Sequence, residues 1–85
     1  MRPNADLIPP NTKETIDIYV TRGCECGSFL TCVLGNDLFG AMGKADSINL
    51  AALPHTCAYI FNRIPWEAWG SLGKIREWKN KKRKE

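Results

Sequence analysis

The sequence predicts an all-α fold, a small compact bundle of about four helices. Apolar residues recur at helical rather than strand spacing, and residues that commonly cap helices stand between the apolar segments. With 44% hydrophobic residues and three tryptophans in 85 positions, the chain has enough apolar material for one core. The predicted helices span approximately residues 12–22, 28–44, 47–63 and 71–80.

The predicted organisation is a single helical domain, residues 11–79, between an extended leader, residues 1–10, and a basic tail, residues 80–85. The leader ends in two consecutive prolines, which disfavour a helix at that point. It also lacks the long apolar region of a signal peptide, and no run of about 18 apolar residues occurs in the chain. These features predict a soluble, cytoplasmic protein that does not enter a membrane.

The first helix is predicted from its two ends. Asn11 and Glu14 form a pair that resembles a capping box, and apolar residues follow at helical spacing. Gly23 stands where a left-handed residue commonly ends a helix. A strand is the alternative, because β-branched residues alternate over residues 16–20. The two ends favour the helix.

The second helix is predicted to be the centre of the bundle, with Ser28 as its N-cap. Its apolar side chains fall on one narrow arc of the helical wheel: Leu30, Leu34, Leu38, Ala41 and Ala45. Three glycines lie away from that arc: Gly35, Gly40 and Gly43. Each destabilises a helix interior by about 1 kcal/mol relative to alanine, so packing must hold this helix together. Glycines also leave room for close approach by a second helix, another subunit or a ligand.

The third helix is predicted to begin at a cap formed by Asp46 or Ser47, and Pro54 is expected to kink or break it near residue 50. Its predicted core side chains form one arc: Leu50, Leu53, Cys57, Ile60, Phe61 and Ile64. Three side chains are predicted to point away from the core: His55, Tyr59 and Asn62. Ser71 is predicted to cap the last helix, whose Leu72, Ile75 and Trp78 would face the core.

Charge is distributed unevenly along the chain. Residues 74–85 carry seven basic and two acidic side chains, a net charge of +5, and residues 1–73 carry five basic and seven acidic ones, a net charge of −2. A tryptophan beside a basic tail suits a nucleic-acid backbone. The alternative is a solvated helix end whose cations favour the helix C-terminus. The residues predicted for nucleic-acid binding are Trp78, Lys79, Lys81, Lys82, Arg83 and Lys84.

Four cysteines occur at positions 24, 26, 32 and 57. Zinc sites usually pair two tight Cys-x₂₋₄-Cys knuckles, and this chain has a single tight pair. The favoured interpretation is four free thiols in a reducing cytoplasm, with a metal site or disulfides as alternatives.

Asp37 is the most unusual side chain of the second helix, because it lies at the edge of the apolar arc. A carboxylate there must be hydrogen-bonded or paired. We predict that it accepts N–H groups from another helix or loop, near residues 69–71; the alternative is that it contacts a ligand or partner. Trp66 and Trp69 are predicted to cover helix ends, or alternatively to clasp a partner. The residues predicted for partner or ligand binding are Asn36, Asp37, Lys44, Asn62, Arg63, Trp66 and Trp69.

No catalytic arrangement, cofactor or metal site is predicted. His55 is the only histidine, and on a helix its side chain and that of Cys57 point apart. Neither of the two glycine-rich phosphate-binding motifs occurs in the sequence.

A set of residues between positions 23 and 78 forms a recognisable pattern. It consists of Gly23, then Gly27-x-Phe29-Leu30-x-x-Val33-Leu34-x-Asn36-Asp37-Leu38-x-x-Ala41, then Ala45-Asp46-x-x-Asn49, and then Tyr59-Ile60-Phe61-Asn62-x-x-Pro65-x-x-x-Trp69-Gly70-Ser71-x-x-Lys74-x-x-x-Trp78. The pattern resembles a family of short bacteriophage and prophage proteins whose activity is not settled. The resemblance covers about residues 14–79 and implies a phage origin and a bacterial cytoplasm. The chain departs from the family at Cys24–Cys26, where a proline-containing turn is usual, and in its basic end.

These observations predict a non-enzymatic phage accessory protein that binds a host factor and antagonises bacterial defence. It would do so by occluding a protein, or by capturing a small anionic signalling nucleotide between protomers, with Arg22, Lys44 and Arg63 as the cations. The alternatives are a small DNA- or RNA-binding protein that uses the basic tail, and a protein with a structural or oligomeric role.

Overall fold

A computed structural model describes residues 5–85, and these residues form helices and connections without a strand. The all-helical, compact fold is therefore confirmed, with five α-helices among the described residues rather than about four. Single turns of 3₁₀ helix lie at Ala5–Leu7 and Trp66–Ala68. The α-helices are α1 (Pro10–Arg22), α2 (Gly27–Leu34), α3 (Leu38–Lys44), α4 (Ser47–Arg63) and α5 (Leu72–Arg83).

The core lies where α1, α2, α4 and α5 meet. Its most deeply buried large side chains are Ile16, Tyr19 and Leu34. The Tyr19 hydroxyl donates a hydrogen bond to the Ala68 carbonyl at 2.7 Å, and the Trp78 indole N–H donates to the Val20 carbonyl at 3.0 Å. These two bonds join α1 to the segment before α5 and to α5 itself.

The predicted second helix, 28–44, is wrong as a continuous element, because the chain turns between α2 and α3. Asn36 has a positive φ of 64°, a left-handed conformation that a helix cannot include. Asp37 then caps α3 by accepting a hydrogen bond from the Gly40 N–H at 2.9 Å. The prediction that Asp37 binds another helix or loop is therefore wrong, as is Ser28 as the N-cap, since α2 begins at Gly27.

The turn splits the predicted apolar arc. Leu30, Leu34 and Ala41 are buried, whereas Leu38 is exposed because α3 folds back onto α2 and turns that side chain outward. The Gly70 N–H donates to the Leu34 carbonyl at 2.7 Å, so the segment before α5 contacts the end of α2.

The start of the chain differs from the predicted extended leader. Residues 5–7 form a 3₁₀ turn, Ile8 is buried in the core, and α1 begins at Pro10. A proline fits the first turn of a helix, because the N–H that it lacks would have no partner within the helix. The part of the leader at residues 1–4 lies outside the described residues.

The predicted helix ends at Gly23, Asp46 and Ser71 are confirmed. Gly23 is left-handed with φ of 70°, Asp46 accepts from the Asn49 N–H, and Ser71 accepts from the Lys74 N–H. The expected break in α4 is wrong, since the helix continues through Pro54. The basic end also differs from the prediction of a separate tail, because α5 continues to Arg83.

The predicted core arc of α4 is only partly correct. Leu53, Ile60 and Ile64 are buried, but Leu50, Cys57 and Phe61 are exposed. Tyr59, predicted to point outward, is buried, and its hydroxyl donates to an Asp17 carboxylate oxygen at 2.5 Å. The Tyr59 face of α4 is therefore covered by α1, which supplies Asp17 as its hydrogen-bond partner.

Candidate functional site

An apolar groove of about 380 Å³ opens between α2, α4 and the segment that precedes α5. Helix α4 supplies most of the lining: Cys57, Ala58, Ile60, Phe61 and Asn62. Val33 of α2, Asn36 of the α2–α3 turn and Trp69 of the segment before α5 complete it.

Two aromatic rings shape the surface of the groove. Phe61 is 71% exposed, and its ring centroid lies 5.9 Å from that of Trp69 at an interplanar angle of 53°. The Trp69 indole N–H donates to the Ile64 carbonyl at 3.3 Å, which holds its ring beside α4. An exposed phenylalanine supported by a fixed indole is a preformed apolar contact surface.

Asparagines add polar groups at this groove. The Asn62 amide donates to the Ala58 carbonyl at 2.7 Å, one turn earlier on α4. Asn36 lies in the α2–α3 turn and is exposed, and its side chain makes no hydrogen bond to any described residue. Its amide is therefore available to a bound molecule as donor and acceptor.

The groove carries no formal charge at neutral pH. None of its lining residues is a lysine, arginine, aspartate or glutamate. Desolvation by the surrounding side chains raises the pKa of the Cys57 thiol, so the thiol stays protonated. This surface is suited to apolar groups rather than to phosphates.

The structure brings together three of the seven residues predicted for partner binding: Asn36, Asn62 and Trp69. The other four lie outside the groove. Asp37 caps α3, and the Lys44 ammonium lies 3.9 Å from the Cys32 sulfur. Arg63 is exposed at the end of α4. Trp66 is exposed rather than covering a helix end, with the Lys74 ammonium 4.5 Å from its ring centroid.

Sequence reasoning missed Val33, Cys57, Ala58, Ile60 and Phe61 as groove residues, because these apolar or small side chains suggested core. One signal was present in the sequence. Ile60 and Phe61 are consecutive, and consecutive helical side chains diverge by about 100°, so both cannot point directly into the same core. Either Ile60 or Phe61 therefore had to lie at the edge of the core.

The cations predicted to capture a nucleotide between protomers lie away from the groove. Arg22, Lys44 and Arg63 lie at the ends of α1, α3 and α4, and none of them lines the groove. Their joint action between protomers stays a prediction.

The predicted nucleic-acid residues are also arranged differently from the expectation. Trp78 is 6% exposed, and the ammonium groups of Lys81 and Lys82 lie 5.1 and 4.8 Å from its ring centroid. A base cannot stack on a ring that is buried. Lys82 pairs with Glu85 at 3.2 Å, and Lys79 pairs with Glu25 at 2.8 Å.

The cysteines are unpaired in the structure. Cys24 and Cys57 are exposed, whereas Cys26 and Cys32 are buried. Residues 5–85 contain no group of three histidine, cysteine, aspartate or glutamate side chains placed to hold a metal ion. Within the same range, no helix has both the length and the apolar character needed to cross a membrane.

Comparison with known proteins identifies no matching family model, no matching curated protein and no matching solved structure.

Proposed function

We propose that the chain is a non-enzymatic binding module whose groove between α2 and α4 accepts an apolar side chain from a partner protein. The observation that carries the proposal is the uncharged groove of about 380 Å³ with Phe61 exposed beside it. This volume lies at the lower end of the range for ligand sites, which suits a side chain or a short segment.

The energetics favour an apolar occupant. Covering an exposed phenylalanine side chain contributes about 1.5–3 kcal/mol of favourable free energy, and Trp69 beside it adds further apolar surface. Burying a phosphate or carboxylate in the same groove would be unfavourable, because no cation lines it. The Asn36 amide is placed to bond to the backbone of the incoming segment.

The resemblance to phage proteins directs the choice of partner. A module of this kind would act by occupying the surface of a host protein, and a bacterial defence protein is the proposed target. The groove favours such occlusion of a protein over the capture of an anionic nucleotide, since nucleotide phosphates need cations that this site lacks.

A selection from displayed fragments of bacterial proteins tests the proposal. Selected fragments should carry an aromatic or large aliphatic residue, and their binding should depend on Phe61. Phe61→Ser should weaken binding at least tenfold, a change of about 1.4 kcal/mol. Phe39→Ser is the matched control, because Phe39 is 85% exposed on α3 and does not line the groove. It should change affinity by less than about twofold.

Nuclear magnetic resonance supplies the second readout. The chain has three tryptophans, and therefore three indole N–H signals. Bound fragments should shift the signal of Trp69, which lines the groove, and leave that of buried Trp78 unchanged. Equal losses for the two phenylalanine variants, or a bound fragment that leaves the Trp69 signal in place, would refute the proposal.

A further inference from the structure

A second depression, of about 330 Å³, lies between α5, α2 and the connection that precedes α2. Its lining includes charged side chains, which the lining of the apolar groove lacks. Helix α5 supplies Arg76, Lys79, Asn80 and Arg83, and Glu25 comes from the connection. These five residues form the cationic cleft.

The cations of the cleft form a stripe because their spacing follows the helical period. Arg76, Lys79 and Arg83 stand at i, i+3 and i+7, which places them on one face of α5. Arg76 and Arg83 are therefore about 10 Å apart along the helix axis, at 1.5 Å per residue. That length corresponds to about three nucleotides of one strand at 3.4 Å each.

One carboxylate of the chain itself occupies the cleft. The Glu25 carboxylate lies 2.8 Å from the Lys79 ammonium and 3.7 Å from the Arg83 guanidinium. A hydrogen bond from Lys79 and then the charge of Lys79 lower the pKa of Glu25; desolvation opposes them, and the charge of Arg83 makes a smaller contribution in the same direction as Lys79. Arg76 makes no ion pair with a described residue. Three cations against one carboxylate leave the cleft with a net charge of +2.

The cleft is accessible to a large ligand. The Glu25 side chain is 71% exposed, and Arg76, Asn80 and Arg83 are exposed as well. The Glu25–Arg83 pair is exposed on both sides and contributes little to stability, whereas Lys79, whose side chain is 16% exposed, holds Glu25 more closely. An external anion can replace this carboxylate without exposing any core residue.

We propose that the cationic cleft binds the phosphate backbone of a nucleic-acid strand, with Glu25 acting as an internal competitor for the same cations. A strand fits better than a single phosphate because the cations are spread along the helix and the surrounding residues 74–85 carry a net charge of +5. A single arginine guanidinium can donate two parallel hydrogen bonds to the oxygens of one phosphate, and the Asn80 amide adds a further donor. Because Trp78 is buried, the contact is to the backbone and does not depend on base sequence.

Fluorescence anisotropy with full-length protein and a labelled oligothymidylate of about 15 nucleotides tests this inference. The double variant Arg76→Gln/Arg83→Gln removes two cleft cations and should weaken binding more than about tenfold at low salt. The matched control is Lys81→Gln/Lys84→Gln, which removes two exposed charges of the same sign from the basic end, outside the cleft. It should weaken binding less than about threefold.

The salt dependence of binding reports how many phosphates the protein neutralises. For a single strand, the slope of log K against log salt is about −0.7 per phosphate contact, so the cleft variant should flatten it by about 1.4. Glu25→Gln should tighten binding by about threefold to tenfold, because it removes the competing charge. Phe61→Ser should leave oligothymidylate binding unchanged, which separates this site from the apolar groove.

Several outcomes would overturn the inference. Equal weakening by the two double variants would show that net charge alone attracts the strand. An unchanged or weaker affinity for Glu25→Gln would show that this carboxylate is no competitor. Competition by polyglutamate or by a nucleoside triphosphate, at the same concentration of negative charge, would assign the cleft to an acidic peptide or a free nucleotide. Circular dichroism of each variant checks that the helices are retained.

Discussion

Hydrogen bonds of single residues accompany the apolar packing of this small core. The structure leaves no buried side-chain nitrogen or oxygen of residues 5–85 without a hydrogen-bond partner. Tyr19 is fully buried, and its hydroxyl is bonded to the Ala68 carbonyl. Tyr59 and Lys13 both donate to the Asp17 carboxylate, at 2.5 and 2.8 Å. Asp17 therefore links α1 to α4.

The environment of Asp17 predicts a pH dependence of stability. Desolvation acts to raise the pKa of Asp17, but the hydrogen bonds from Lys13 and Tyr59 outweigh it and lower the pKa below its ordinary value of 3.8. A lowered folded-state pKa stabilises the fold above the unfolded-state value, and this contribution is lost as the pH falls through the folded-state value. The stability difference between wild type and Asp17→Asn should therefore shrink as the pH falls from about 5 through the folded-state pKa of Asp17.

Urea unfolding of both proteins at neutral and acidic pH measures this difference. The comparison removes the effect of other carboxylates, which are common to the two chains. Tyr59→Phe supplies a control, since without this donor the Asp17→Asn substitution should change stability by a smaller amount. A difference that stays constant across the pH range would contradict the assignment.

At the scale of the elements, two helices begin with the same kind of aspartate cap, although one is peripheral and the other is central to the fold. Asp37 caps α3, which has seven residues, includes Gly40 and Gly43, and packs chiefly on α2. Asp46 caps α4, which has 17 residues and contributes Leu53 and Ile60 to the buried interior. The same local bond thus supports elements of very different importance to the fold.

Removing each cap should reveal this difference. Asp37→Ala and Asp46→Ala should each remove about 1 kcal/mol of local helix stability. For Asp37→Ala the effect should be confined to α3, with faster amide hydrogen exchange there and little change in the urea midpoint, because α3 opens independently. For Asp46→Ala the urea midpoint should fall. A similar fall for both variants would show that α3 unfolds only with the whole domain.

Three helix ends were predictable from sequence, whereas the break between α2 and α3 was not. Gly23, Asp46 and Ser71 bond to backbone groups within four residues, so neighbours in sequence reveal them. Asp37 has the same local signature, but the continuous apolar arc across residues 30–45 suggested one helix. Asn36, which lies between α2 and α3, is left-handed and ends α2. The chain folds back there, and α3 packs on α2.

At the scale of the whole molecule, the close contact between the end of α1 and α5 is the most demanding feature. A Cβ atom placed on Gly23 would lie 2.8 Å from the Lys82 Cβ and 3.0 Å from the Lys79 carbonyl oxygen. The Trp78 indole bonds to Val20 beside this contact. Glycine is thus required here both by its positive φ and by the approach of a second helix.

Two glycine substitutions separate these requirements. Gly27 has a φ of 84°, and no other residue lies within 4 Å of the place that an alanine methyl group would take. Gly27→Ala should therefore lose only about 1 kcal/mol from backbone strain. Gly23→Ala adds a collision with the α5 backbone and should lose about 2–4 kcal/mol. Urea unfolding of both variants measures the difference. Equal losses would show that the contact between α1 and α5 relaxes without penalty.

The sequence by itself determined the helical class, the helix ends at Gly23, Asp46 and Ser71, and the division into an acidic body and a basic end. These properties depend on the period of apolar residues, on bonds between near neighbours and on composition. Only the tertiary structure decided which helix faces are covered: it buries Tyr59, exposes Phe61 and leaves the groove beside it. It also brings Glu25 to Lys79, 54 positions away. Burial and such pairings depend on residues far apart in the chain, so the physical reason lies in how the helices pack and not in any one helix.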